Sequence, residues 1–145
     1  MKHIALIACS KSKQGQNDPA RKFKAQDIYT GNTFKLAKTE GIRRFGCEDF
    51  HILSSKYYLL DKDDGISYYD MYLGSQSASY KKMWAGKVIS ALKAKYDIEN
   101  TKFYIFGGKP YYENLTPHLN CVVFGYISSS KIDLEKPTEY KNGGK

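Results

Sequence analysis

The sequence predicts an α/β domain: a three-layer, mostly parallel open sheet of about four strands, with helices on both faces. Two observations carry that prediction. Residues 4–8, 50–53, 102–106 and 121–125 are short, apolar and β-prone, the pattern of strands buried on both faces. Between consecutive runs lie segments with helical spacing, and strands joined by crossover helices run parallel. A chain of 145 residues suits one core. The domain is placed at 1–130 and a polar tail at 131–145.

The first strand, residues 4–8, runs directly into Cys9-Ser10-Lys11-Ser12-Lys13. Residues 14–27 are polar, contain Gly15 and Pro19, and read as a long loop. Tyr29-Thr30-Gly31-Asn32-Thr33 leads into a helix over 33–44, with Phe34 and Ala37 facing inward and Gly46 ending it. The second strand, 50–53, is followed by a polar stretch to about Gly74. Ser77 or Ser79 caps the next helix, in which Tyr80, Trp84, Val88, Leu92 and Tyr96 recur every fourth residue. The third strand, 102–106, exits into Gly107-Gly108, and Pro110 sits in the first turn of a short helix whose stripe is Tyr112, Leu115 and Leu119. The fourth strand is 121–125.

Parallel strands release the chain at one edge. The segments 9–13, 54–61, 107–111 and 126–130 therefore converge there, and open α/β sheets bind ligands along that edge.

Composition narrows the choice of ligand. Hydrophobic residues make up 41% and charged residues 26%, which excludes a disordered chain. The net charge is +8, and only Arg21, Arg43 and Arg44 are arginines. Lysine is a point charge suited to phosphates and poor at reading base edges. The balance fits a nucleotide, a sugar phosphate or a nucleic-acid backbone, or a lysine surface that serves solubility. Thirteen tyrosines offer faces for stacking and hydroxyls for hydrogen bonds. Cys9, Cys47 and Cys121 have neither disulfide nor zinc spacing, and His3, His51 and His118 have no metal-ligand spacing. No metal and no cofactor are expected. The reading is cytoplasmic, with no signal peptide and no membrane partner.

The candidate site residues follow from the edge. Ser10, Lys11 and Lys13 can cradle an anion in the first turn. Ser54, Ser55 and Lys56 repeat that chemistry at the second exit, with Tyr57 and Tyr69 beside them. Gly107 and Gly108 admit a close approach to the backbone, and Tyr111 follows. Asp70 and Asp61 are the candidate catalytic carboxylates, for proton transfer or for steadying a cation on a sugar. Cys9 as a nucleophile lacks a base at any strand exit and is read as a small buried residue. Ser54, Lys56, Tyr69 and Asp70 are expected to share one cleft with Ser10 and Lys11.

IACSKSK, YTGNTF, ILSSKYYLLDKDDGISYYDMYL and IFGGKPYY together resemble the YaaA-like group, over roughly residues 4 to 125. The central pattern is matched at Leu53, Ser54, Lys56, Tyr57, Leu59, Leu60, Ile66, Tyr69, Asp70 and Leu73, whereas Tyr58 stands where that pattern has glycine. The resemblance implies a role related to nucleotides, modified bases or nucleic acid. Two further functions are consistent with the residues: cleavage or exchange of an N-glycosidic bond by a loop carboxylate, and a non-enzymatic, phage-type protein-interaction module.

Overall fold

Strand β1 (Lys2–Ala8) runs through the interior of the sheet and is buried from Ile4 onward. The computed structural model describes residues 1–128 and 131–141. After β1 come β2 (Lys22–Lys24), α1 (Ala25–Ile28) and a longer helix. That helix starts as α2 (Asn32–Leu36), passes through a π turn (Ala37–Gly41) and finishes as α3 (Ile42–Phe45). Gly46, at φ 67, closes it in the left-handed conformation that glycine adopts without cost. Next come β3 (Asp49–Ser54), β4 (Tyr58–Asp61), β5 (Gly65–Ser67) and α4 (Ala78–Lys95). The chain ends through β6 (Thr101–Phe106), α5 (Lys109–Tyr112), β7 (Cys121–Phe124), β8 (Tyr126–Ser128), β9 (Lys131–Ile132) and β10 (Thr138–Tyr140).

Among the described residues the central sheet has six strands, in the order β10-β7-β6-β1-β3-β4. Its four inner strands are the apolar runs of the sequence, and they are parallel. The two edges are antiparallel additions, which corrects the expectation of about four strands. On one side the chain turns back after Ser54, so that Ser54 pairs with Tyr58 and His51 with Asp61. The hairpin turns at Tyr58, a non-glycine residue at φ 67, which costs roughly 1–2 kcal/mol of backbone strain. On the other side Thr138–Tyr140 pairs with β7, and Ile132 is buried. The expected tail therefore contains an edge strand, while residues 142–145 lie outside the described residues. Neither addition has a periodic signal of its own, because each is short and is held by its pairing partner.

The expected loop over 14–27 is also more ordered than its composition indicates. β2 pairs with β5 in a separate two-stranded ribbon, and Lys13 bridges to Tyr29.

Side chains alternate across β1. Ile4, Leu6 and Ala8 enter a cluster with Leu53, Trp84, Val88, Leu92, Phe103 and Leu115. Ala5 and Ile7 enter a second cluster with Phe34, Ala37, Ile52, Phe106 and Phe124. Ser77 caps α4 by accepting a hydrogen bond from the Tyr80 N–H, and the α4 residues Trp84, Val88 and Leu92 are buried as their spacing predicts.

The chain goes from β1 outward to β3, then returns past β1 to β6. Connections therefore leave β1 and β6 toward opposite sides. That reversal opens a crevice at the carboxyl ends of β1 and β6, the place where doubly wound sheets hold ligands.

Candidate functional site

A cavity of about 700 Å³ occupies this crevice. Residues Cys9 to Lys13 form its wall at the end of β1, and Gly31, Asn32 and Thr33 form the wall at the start of α2. Asp70, Met71 and Tyr72 approach from the segment after β5. Gly108, Pro110 and Tyr111 come from the start of α5, and Tyr126 from β8.

The first turn is held rigidly. The Cys9 N–H donates to the Leu53 carbonyl at 2.9 Å, and the Thr30 N–H donates to the Ser12 carbonyl at 2.9 Å. Ser10 Oγ donates to the Ser12 carbonyl at 2.7 Å and accepts from the Gly31 N–H at 3.3 Å. A Cβ on Gly31 would lie 2.7 Å from the Ser10 Cβ, so glycine is what lets the turn sit against the helix start.

Lys13 is the half-buried cation of this wall. Its Nζ stands 4.5 Å from the Tyr69 ring centroid and about 6 Å from those of Tyr68 and Tyr29. It donates to the Lys11 carbonyl at 3.2 Å. Burial lowers its pKa below the ordinary lysine value, opposed by the charges of Cys9 and Asp70. Lys11 and Asp70 are exposed on the same cavity. Cys9 lines it as well, with Sγ 3.3 Å from the Tyr111 hydroxyl. Burial, reinforced by Cys9, raises the pKa of the Tyr111 phenol.

The second exit is scaffold. Ser54 is fully buried, and its Oγ accepts from the Lys56 and Tyr57 N–H groups at 3.2 and 2.9 Å. The same oxygen bonds the Tyr69 hydroxyl at 2.9 Å, which in turn bonds the Tyr29 hydroxyl at 2.7 Å. Burial raises the pKa of both phenols. Ser55 Oγ donates to the Met71 carbonyl at 2.7 Å, which fixes the segment that carries Asp70. Tyr57 packs edge-on against Tyr69, and Lys56 Nζ lies over the Tyr57 ring in solvent. Ser10, Lys11, Lys13 and Asp70 thus share the cavity, while Ser54, Ser55, Lys56, Tyr57 and Tyr69 are not among its lining residues. The expected common cleft forms only for the first group, because the polar atoms of Ser54, Ser55 and Tyr69 are spent on one another and on the backbone.

Gly107 is absent from the lining as well. A Cβ there would meet the Ala8 Cβ at 2.6 Å, so Gly107 lets β6 close against β1. Asp61 is elsewhere in the hairpin: Oδ1 lies 2.9 Å from His51 Nδ1 and Oδ2 lies 3.1 Å from Lys95 Nζ. Asp61 and Asp70 do not share the cavity.

The lining residues that sequence reasoning did not single out as site residues are Ser12, Gly31, Asn32, Thr33, Met71, Tyr72, Pro110 and Tyr126. Tyr72 lies two residues after Asp70, and Tyr126 follows the fourth strand directly. Their position along the edge was the available signal. Ser129 and Ser130, also placed at that exit, lie outside the described residues.

His51 yields a prediction. It is buried, with Asp61 and Asp49 favouring its charge and Lys95 opposing it, while Tyr96 bonds its Nε2. Desolvation prevails and lowers its pKa below 6.5. The unfolded chain then binds more protons than the folded one below that pH, so stability is lost as the pH falls from about 6.5 through the folded pKa. Thermal melts from pH 8 to 5 should show this slope, and His51→Asn should flatten it. An unchanged slope in the variant would assign the loss to other groups.

Among the described residues no trio of His, Cys, Asp or Glu is placed to hold a metal ion. No described helix is long and apolar enough to cross a membrane. Residues 4–128 match DUF6884, a family of unknown function. The chain belongs to DUF6884. The matched stretch runs from within β1 to the end of β8 and so includes every wall of the cavity. No curated protein and no solved structure matches the chain.

Proposed function

We propose that this DUF6884 protein binds an anionic small molecule of the nucleotide or sugar-phosphate class in the crevice between β1 and β6. The observation that carries the reading is the placement of Lys11 and Lys13 beside Ser10 on one 700 Å³ cavity at the reversal of strand order. A pocket of that size suits a mononucleotide. The net charge of +8 would draw such ligands in. The likeness of residues 4–125 to the YaaA-like group leans the same way, and three cysteines without a disulfide suit action in the cytoplasm. Calorimetric titration with nucleoside monophosphates and ribose 5-phosphate tests it. Binding should weaken steeply with added salt, and an affinity that is flat from low to high salt would remove the electrostatic basis.

Asp70 favours a second reading. A site built only to hold an anion gains nothing from a carboxylate in its wall. A carboxylate there suits cleavage or exchange of an N-glycosidic bond, in which positive charge develops on the sugar. Under this reading Asp70→Asn should abolish turnover of a nucleoside or nucleotide while moving the melting temperature by no more than a few degrees, because Asp70 is exposed. Base release monitored by chromatography would report it. Undiminished turnover in Asp70→Asn would exclude Asp70 as the carboxylate.

A further inference from the structure

Two rings in the cavity wall are exposed to solvent. Tyr72 is 59% exposed and Tyr126 is 45% exposed, and both line the cavity. Tyr72 leaves more than half of its area exposed and Tyr126 nearly half, where aromatic side chains ordinarily bury most of theirs. Each of these instead lies against a glycine at the rim. A Cβ on Gly74 would come within 2.4 Å of the Tyr72 ring, and a Cβ on Gly108 would come within 3.1 Å of the Tyr126 ring. A methyl group on Gly74 would displace the Tyr72 ring, and one on Gly108 would press the Tyr126 ring aside by a few tenths of an ångström. Burial raises the pKa of the Tyr126 phenol, and the charges of Cys9 and of the nearby Tyr72 add to it.

Of the other tyrosines of the region, only Tyr111 lines the cavity. Tyr111 is buried and edge-on to Trp84, while Tyr57 and Tyr69 are edge-on to each other. We infer that Tyr72 and Tyr126 form an aromatic subsite that takes a planar heteroaromatic ring, a nucleobase, by stacking. The inference rests on the crevice being the ligand site proposed above, and it names the half of the ligand that Lys11 and Lys13 do not hold. It also gives Gly108 a role: the residue supports a ring that contacts the ligand, and its backbone need not be approached by the ligand itself.

The test uses AMP, GMP, CMP and UMP, the four corresponding nucleosides and ribose 5-phosphate, titrated calorimetrically into the full chain. At least one nucleotide should bind tenfold or more tightly than ribose 5-phosphate. Tyr72→Ala and Tyr126→Ala should each weaken that nucleotide by roughly 5- to 150-fold, the range for loss of one base–aromatic stack. Both variants should leave ribose 5-phosphate unchanged. Tyr72→Phe and Tyr126→Phe should bind like the parent, because stacking needs the ring and not the hydroxyl. Both residues are largely exposed, so the variants should fold.

Equal binding of ribose 5-phosphate and every nucleotide, with no effect of the alanine variants, would overturn the stacking subsite and leave the anion site standing. Phenylalanine variants as weak as the alanine ones would also overturn it, by assigning the contact to the hydroxyls. Nucleosides that bind as tightly as their nucleotides, with nucleotide affinity independent of salt and of Lys11 and Lys13, would support the subsite and overturn the anion site. No binding by any probe would overturn both.

Discussion

Replacing Trp84 by alanine is expected to lower the melting temperature by roughly 10–20 °C. The side chain is fully buried in the cluster between α4 and the sheet. Truncating a buried tryptophan costs about 3–5 kcal/mol, and each kcal/mol moves the midpoint of a domain this size by roughly 3–4 °C. Trp84 also does more than fill space. Its Nε1–H donates to the Ser54 carbonyl at 2.7 Å, at the end of β3. Its ring meets Tyr111 edge-on, at 5.9 Å between centroids, beneath the cavity. Trp84→Phe keeps most of the volume and leaves the Ser54 carbonyl without that donor, which should cost about 1–3 kcal/mol. Circular dichroism is the suitable probe, because Trp84 is the chain's single tryptophan. A drop of only a few degrees in Trp84→Ala would show that α4 is seated by its other contacts.

Lys13→Ala is expected to weaken an anionic ligand by roughly 10- to 150-fold, the 1.5–3 kcal/mol of a hydrogen bond to a charged group. Lys56→Ala and Lys109→Ala should leave the affinity within about twofold, since both lysines are exposed and neither lines the cavity. The contrast matters because all three lysines follow strand ends in the sequence. Burial lowers the pKa of the Lys13 ammonium, so its charge is lost as the pH rises through that lowered value. Affinity for the ligand should accordingly decline on the alkaline side at lower pH than an ordinary lysine would give. Equal losses in Lys13→Ala and Lys56→Ala would show that the ligand senses only the overall surface charge.

The parallel core was legible because each inner strand is an apolar run with helical spacing on either side. β4 and β10 were not, since a four-residue and a three-residue strand are defined by what they pair with. The edge where the cavity opens followed from strand direction alone, and the strand exits there carry Ser10, Lys11, Lys13, Gly108 and Tyr111, while Asp70 reaches the cavity from the segment that folds back after β5. The sequence could not separate these from Ser54, Ser55 and Tyr69, which have the same composition and spacing. What separates them is saturation: the Ser54 oxygen already serves two N–H groups and a phenol. Tyr58 illustrates a different limit. A glycine-like backbone angle is carried there by a tyrosine, covered by Lys87 at 5.0 Å from the ring centroid, and no propensity scale assigns that angle to tyrosine.

The π turn over Ala37–Gly41 sets the phase of the helix between its two ends. One residue of α-helix amounts to about 100° of rotation, and a π turn accommodates one residue more than a regular turn. The same residues wound as a continuous α-helix would swing one end relative to the other by about that angle, whereas the π turn takes up the extra residue within one revolution. From the end of the turn onward the helix packs on the sheet: Gly41 faces Phe106, whose ring stacks on Phe124 at 4.7 Å, and Phe45 of α3 meets Phe124 at 4.6 Å between centroids. With that end anchored, the rotation would fall on Gly31, Asn32 and Thr33 in the cavity wall. The helix works as a keyed shaft, in which one supernumerary residue in the middle fixes which side of its first turn faces the crevice.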